Sequence, residues 1–274
     1  MLAGFLIPLA GANFVFAVNA SCFLLVVLAI CRLKQATAPI RLPSETFVKS
    51  FGTVICYVRH MPGLQVVLAR NFLFALFISV IPALIPAVGL QALHLSSTQL
   101  GFLFTSLGAG SVIGAVFVIA WLRARFSPDS VTLLANLLIV LAYVLMAFVR
   151  QTELFFIAAA VAGVGWTLSA SELWVAAQRA MPNWVRGRFN ATVIMISQGA
   201  ITLGSVSWGS AAAMVGTNST LFTAAVLFLI ALFLSRRLSI NFAGNPEERL
   251  SGVLSITEDP RAPTSTALTA LFPS

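Results

Sequence analysis

The chain has 274 residues, of which 59% are hydrophobic and only 9% are charged, and its formal net charge is +8. Soluble domains carry roughly 25% charged residues, so this composition excludes a soluble globular protein and predicts an integral membrane protein whose first partner is the lipid bilayer. The cations lie at the ends of apolar runs. This placement favours anchoring in a membrane over binding of nucleic acid, so no nucleic-acid partner is expected.

The N-terminal segment, residues 1–32, is apolar from its first residues. Gly11-Ala12-Asn13 can turn the chain, after which residues 14–30 are long enough to cross a bilayer at about 1.5 Å per residue. A single bent helix from Leu2 to Cys31 is the alternative interpretation.

Residues 33–65 form the longest internal polar stretch. Ser44 can cap a helix, and apolar residues then recur at helical spacing. We expect an amphipathic helix that lies on the cytoplasmic surface and ends at Pro62-Gly63.

Six further apolar runs follow, each long enough to span a bilayer: residues 66–89, 99–122, 131–149, 154–177, 189–215 and 220–234. Together with the first segment they predict an all-α membrane protein with about seven full transmembrane helices. The short loops are basic on one side only, with Arg150 as the exception. Because Lys and Arg near helix ends stay in the cytoplasm, the basic side and the C-terminus are predicted to be cytoplasmic. The tail, residues 239–274, is rich in Ser, Thr, Pro and charge, and we expect it to be disordered.

Small residues within these runs predict close helix packing. Gly110 and Gly114 form a small-xxx-small pair, and Gly204 and Gly209 lie in a second run of small residues.

Motifs of enzymes and nucleotide-driven pumps are lacking. The sequence contains no phosphate-binding loop, no HExxH and no G-x-S-x-G. Cys22, Cys31 and Cys56 do not have the spacing of a metal or disulfide site. We therefore predict no cofactor, no metal and no enzymatic activity.

The corner between the runs 154–177 and 189–215 carries the most specific pattern of the chain. Its residues, with those that follow on the next span, are Ala176-Ala177-Gln178, Pro182, Trp184, Arg186-Gly187-Arg188, Gln198-Gly199, Gly204 and Trp208-Gly209. This ordered set resembles the corner between the tenth and eleventh helices in one branch of the major facilitator superfamily. The branch is the transmembrane secretion effector family, which includes the enterobactin exporters.

The resemblance covers roughly residues 13–240 and implies a fold of two six-helix halves that rock about a midplane site, driven by an ion gradient. On this basis residues 1–32 are the end of helix five with helix six, 33–65 are the linker, and 66–238 are the C-terminal six-helix half. The first half would come from a separate chain or a missing part of the gene. The implied function is efflux of a small molecule (a siderophore, a drug or a metabolite) across a bacterial inner membrane. A non-transporting membrane fragment or scaffold is the alternative.

Charged residues inside apolar runs are the first candidates for a transport role, because a charge there is costly. Glu172 is the only acidic residue well inside such a run, and Arg70 lies at a similar depth in its own run. In the resembled fold these runs are helices ten and seven, which line the central cavity. We hypothesise that Arg70 and Glu172 face each other and that Glu172 is protonated during transport. Alternatively, each side chain reaches the cytoplasmic surface separately.

Other polar and aromatic residues in the spans are weaker candidates. Gln198 belongs to the family-like pattern, and Trp166 lies mid-span where it could line a cavity. Buried amides such as Asn136 more often bond between helices than contact substrate. The resemblance also implies a cytoplasmic gating turn, and Asp129 is one candidate acidic partner for its first arginine. The residues of that turn are Gln178, Pro182, Trp184, Arg186, Gly187 and Arg188.

Overall fold

The structure is a computed structural model that describes residues 2–32, 58, 62–149, 151–179 and 186–235. All elements formed by these residues are helical. In chain order they are α1 (Leu2–Arg32), α2 (Pro62–Ile78), α3 (Val80–Ala87) with a π-helical turn (Val88–Ala92), α4 (Ser97–Ile113) with a π-helical turn (Gly114–Val118), α5 (Ile119–Arg123), α6 (Pro128–Phe148), α7 (Thr152–Arg179), α8 (Arg186–Val215) and α9 (Thr217–Ser235).

Seven of these helices, or continuous helical segments, are long and apolar enough to cross a membrane. The first is Asn13–Arg32, the second combines α2 with α3, and the third combines α4 with α5. The prediction of an all-α protein with about seven spans is therefore confirmed. The predicted linker helix falls almost wholly, and the C-terminal tail wholly, outside the described residues.

Gly11 interrupts the first helix. Its backbone angles, φ 77° and ψ 160°, are non-helical, and a positive φ of this size favours glycine because a Cβ would clash there. The chain therefore bends where the sequence predicted a turn, and the apolar span follows as Asn13–Arg32. Along this span the side chains are largely exposed, and the helix packs only against α4 among its main described contacts.

The main hydrophobic core lies between α2, α3, α6, α7 and α9 and includes Phe77, Tyr143, Phe155 and Phe228. Phe77 and Phe228 stack with ring centroids 4.7 Å apart, and such pairs add a little to the burial of the rings themselves. A second, smaller core joins the first turns of α2 to the end of α7 and the start of α8. These contacts bring the starts of α2, α6 and α8 and the ends of α5, α7 and α9 to one end of the bundle. We call this the arginine end, because Arg123 and Arg125 lie there.

Two helices cross at backbone distance. A Cβ added to Gly110 on α4 would lie 1.9 Å from the carbonyl oxygen of Ala160 on α7, and one added to Gly163 would lie 1.9 Å from the carbonyl oxygen of Leu107. Two serine hydroxyls of α4 donate hydrogen bonds across the same crossing to carbonyl oxygens of α7, at 2.7 and 3.2 Å. Small residues allow this approach, which is the usual way in which membrane helices gain packing energy.

The other predicted packing glycines differ among themselves. A Cβ on Gly114 would be 3.3 Å from Val164, and one on Gly204 would be 2.2 Å from the Ser79 hydroxyl. Gly209, by contrast, has nothing within 4 Å of a Cβ in the described part of the chain. Close packing at Gly209 therefore stays a prediction, since no described residue lies next to it. Gly209 lies on the same helix as Gly204 but on a different face.

The hydrogen-bond ladder of the second span is interrupted where α2 meets α3. Pro82 has no N–H to donate to the carbonyl oxygen four residues earlier, although Ser79 between the two helices keeps helical backbone angles. Side chains from two other helices bond to this region: the Tyr143 hydroxyl donates to the Phe77 carbonyl oxygen at 2.8 Å, and the Trp208 indole N–H donates to the Leu76 carbonyl oxygen at 3.1 Å. This part of the span is thereby tied to α6 and α8.

Candidate functional site

The candidate site is the loop between α5 and α6 at the arginine end, together with the helices that hold it. Ser127 begins α6: its hydroxyl accepts a hydrogen bond from the Ser130 N–H at 3.4 Å, and Pro128 occupies the first helical turn. Serine is favoured at a helix cap and proline in the first turn. This local structure places Asp129 in the first turn of α6, where the helix dipole favours a negative charge.

One ion pair joins α5 to α7. The Nε of Arg123 lies 2.5 Å from Oε1 of Glu172. The Glu172 side chain is only 4% exposed, whereas that of Arg123 is 43% exposed. A buried carboxylate is costly without a partner, and here the cation comes from the last residue of α5. The pair therefore fixes the start of the loop to α7.

A second ion pair joins α2 to α6. Arg70 donates through Nη1 to Oδ1 of Asp129, and the two side chains are 12% and 33% exposed. Asp129 lies at the other end of the same loop. The loop is thus held at both ends: Arg123 at its start is paired with Glu172 of α7, and Asp129 at its end is paired with Arg70 of α2.

The hypothesis that Arg70 and Glu172 face each other is wrong. Both side chains are paired, but with Asp129 and Arg123 respectively. The similar depths of Arg70 and Glu172 do not specify their partners, because Arg123 and Asp129 also lie at this end of the bundle, at the two ends of a short loop. The proposed contact between Asp129 and Arg186 stays a prediction, because the Arg186 side chain lies outside the described ones.

Two features of the sequence indicate this arrangement. Ser127-Pro128-Asp129 has the pattern of a helix start, which places the acid next to the arginine end of α2. Arg123 ends a span on that same side, within reach of the long side chain of Glu172. A short loop with a cation at one end and an anion at the other is expected to pair with an acid and an arginine of the neighbouring spans, as Arg123 and Asp129 do.

Hydrogen bonds between helices surround this site. The Ser169 hydroxyl donates to Oδ1 of Asn136 at 2.9 Å, joining α7 to α6, so the interhelical role expected of Asn136 is present. Nδ2 of Asn71 donates to the Ser197 hydroxyl at 2.6 Å, joining α2 to α8. The sequence alone does not predict this second pair, because Asn71 and Ser197 lie on separate spans.

The remaining predicted residues lie apart from the ion pairs. Trp166 is half-buried against the main core. Gln198 is exposed on α8, and Gln178 is half-buried near the end of α7. Gly187 is exposed with no close neighbour, whereas the side chains of the rest of the predicted gating turn lie outside the described residues: Pro182, Trp184, Arg186 and Arg188.

A cavity of about 270 Å³ opens beside the Arg70–Asp129 pair, between α2, α6, α7 and α9. Its polar lining includes Arg70, Asp129 and Asn136, and its remaining walls are mostly apolar. Among the described residues, no three His, Cys, Asp or Glu side chains lie close enough to hold a metal ion. The arrangement at this end can therefore make or break charge pairs and accept a small ligand.

Comparison with protein families identifies the chain. The family model described as transmembrane secretion effector matches residues 1–251, which is most of the sequence. Comparison with curated proteins gave no match. With seven membrane-spanning segments and this match, the chain is a multi-pass membrane protein that belongs to the transmembrane secretion effector family of major facilitator transporters.

Proposed function

We propose that this chain forms the C-terminal half of a secondary transporter that exports a small molecule from a bacterial cell. The family supports a transporter of the major facilitator type. The observation that carries the proposal further is the loop between α5 and α6, which is held by ion pairs to both α2 and α7. In the resembled fold these two helices line the pathway, so the loop is attached to the parts that move.

The orientation of the chain follows from its charge. The arginine end is proposed to face the cytoplasm of a bacterial inner membrane, because Lys and Arg accumulate on that side. The doubly held loop is then a cytoplasmic element. One of its ion pairs holds the cytoplasmic end of α2 to α6, and the other holds the cytoplasmic end of α7 to α5.

Glu172 is the proposed coupling residue. Protonation of its carboxyl group removes the negative charge and with it the attraction to Arg123. A neutral acid is easier to keep buried than a carboxylate, and the released arginine is already 43% exposed and can turn to water. Proton uptake would therefore release the start of the loop from α7, while Arg70 and Asp129 continue to hold its end.

The proposed substrate is lipophilic. Within the described spans, the two deeply placed charged residues, Arg70 and Glu172, are already paired with Asp129 and Arg123. The other residues of these spans are mostly apolar, with scattered hydroxyl and amide groups. An apolar pathway with few free charges suits a siderophore, a drug or a neutral metabolite.

A separate N-terminal half is the proposed partner. The side chains of Asn13–Arg32 are exposed along the helix except that of Val15, which is half-buried. Many of them are large and apolar, including Phe16 and Phe23. Lipid can cover part of such a surface, but a helix that is exposed on every side except toward α4 also offers a face to a second bundle.

The test is transport in inverted membrane vesicles, in which the cytoplasmic face points outward. Vesicles with this chain alone are compared with vesicles in which it is co-expressed with the N-terminal half of a family member. We expect proton-dependent accumulation of a lipophilic dye only in the second set, and a loss of its proton dependence in Glu172→Gln. Glu153→Gln, at an exposed position in the first turn of α7, is the matched control. Absence of transport in both sets, across a panel of dyes, would instead support the non-transporting scaffold.

A further inference from the structure

The cavity at the arginine end is lined by four helices and has two kinds of wall. Its apolar lining comes from side chains of all four helices: Leu73, Phe74, Leu133, Leu173, Phe228 and Leu232. Its polar lining includes Arg70, Asp129 and Asn136. At about 270 Å³ the cavity lies just below the range of roughly 300–1,000 Å³ that is usual for small-molecule sites. It therefore suits a short amphiphile.

Asn136 places a side-chain amide in the wall of this cavity. Its side chain is only 6% exposed, and Oδ1 accepts a hydrogen bond from the Ser169 hydroxyl. No hydrogen bond joins the amide nitrogen to another described residue, and this nitrogen is not fully enclosed. Because the residue lines the cavity, a ligand oxygen there can accept a hydrogen bond from the amide nitrogen and gain affinity from it.

Among the described residues that line the cavity, the charges are balanced. Arg70 and Asp129 neutralise each other, and the guanidinium group has five N–H donors, of which the contact with Asp129 uses only part. A charged ligand head would leave a net charge beside this pair in a region of low dielectric, which is unfavourable. A hydroxyl or carbonyl head accepts hydrogen bonds from Asn136 and Arg70 without adding charge.

We propose that this cavity binds an uncharged amphiphile, with a hydroxyl or carbonyl head on Asn136 and Arg70 and a short alkyl body against Phe74 and Phe228. The site is separate from the exposed face of α8 that carries Gln198, because none of the described side chains of α8 lines the cavity. The proposal does not rest on the proposed transport function. It concerns binding alone and is tested by binding alone.

The experiment uses the purified full chain in lipid nanodiscs and a photoreactive octanol that carries an aliphatic diazirine. After irradiation, labelled residues are mapped by mass spectrometry. We expect adducts on the cavity residues Leu73, Phe74 and Phe228, removed by excess octanol but not by octanoate at pH 8. Labelling that is no stronger there than on the exposed Phe233 and Leu234 of α9 would overturn the proposal. Protection by octanoate equal to that by octanol would also overturn it, since the site would then prefer an anion.

Two variants test the walls of the cavity. Ala231 lines it, and Ala231→Leu fills part of its volume, whereas Ala213→Leu makes the same change at an exposed position of α8. The double variant Asn136→Leu with Ser169→Ala removes the donor without leaving the serine unpaired. We expect Ala213→Leu to label as the wild type does. The double variant should label several-fold more weakly, up to about tenfold, as loss of one hydrogen bond predicts.

Unchanged labelling in both Ala231→Leu and the double variant would show that the ligand is bound elsewhere. Should either variant fail to fold, competition between octanol and octanoate on the wild-type chain still decides the outcome.

Discussion

The crossing of α4 and α7 makes a quantitative prediction about stability. Gly110→Ala places a Cβ 1.9 Å from the carbonyl oxygen of Ala160, and that atom belongs to the backbone of a neighbouring helix. Carbon and oxygen atoms without a bond between them do not approach so closely, so the two helices must move apart by roughly 1 Å or more. Overpacking of this kind costs about 1–3 kcal/mol.

Separation of the helices also weakens the two hydrogen bonds that cross the same interface. Ser106 and Ser111 donate to carbonyl oxygens of α7 at 2.7 and 3.2 Å, and interhelical hydrogen bonds in membranes contribute on average about 0.6 kcal/mol each. Their partial loss adds up to about 1 kcal/mol, and the better helix propensity of alanine offsets about as much, so the expected destabilisation of Gly110→Ala is about 1–3 kcal/mol. The direction is opposite to that of helix propensity, which favours alanine over glycine by about 1 kcal/mol.

The measurement is reversible unfolding of the purified chain by sodium dodecyl sulfate, followed by circular dichroism. Gly199→Ala is the matched control, because nothing lies within 4 Å of a Cβ at that position. We expect the control to be as stable as the wild type or slightly more stable. Equal stability of Gly110→Ala and Gly199→Ala would refute the reasoning, since it would mean that the two helices are not in backbone contact.

Three further predictions concern the polar contacts. Glu172→Gln is expected to destabilise the chain by about 1–2 kcal/mol. This is less than the cost of breaking a fully buried ion pair, because the arginine partner can reach water. Glu153→Gln, measured in the same unfolding assay, should change the stability little. Asp129→Arg alone should destabilise the chain, because it places a second cation beside Arg70. The double variant Asp129→Arg with Arg70→Asp restores a pair of opposite charges and should regain part of the lost stability. A double variant no more stable than the worse single variant would show that the two residues do not interact. Trp208→Phe keeps an aromatic side chain but removes the indole N–H that donates to the Leu76 carbonyl oxygen, so hydrogen exchange near Ser79 should become faster. Unchanged exchange rates would contradict a restraint on this part of the second span by that hydrogen bond.

The spans of this protein follow from the sequence because the bilayer imposes a simple physical condition. Every backbone polar group in the membrane must be bonded within its own segment, so a long apolar run is a helix whatever its neighbours are. The bend at Gly11 was likewise predictable, since only glycine readily adopts φ near 77°.

The ordered residues around the 178–199 corner carried the resemblance to the transmembrane secretion effector family, and the family match now covers residues 1–251. That pattern is local in sequence, and no packing information is needed to recognise it. The roles of the individual corner residues are a different matter, because they depend on contacts of side chains such as Arg186 that lie outside the described ones.

By itself, the sequence determined that this chain is an all-α membrane protein, where its helices run and which end carries the arginines. Only the tertiary structure decided the partners. It paired Glu172 with Arg123 rather than Arg70, placed Gly110 at a helix crossing but left Gly209 open, and enclosed Asn136 beside a cavity. The physical reason is that hydropathy acts on each segment separately, whereas a charge pair or a close crossing depends on the rotation of two helices about their axes, which packing of the whole bundle sets.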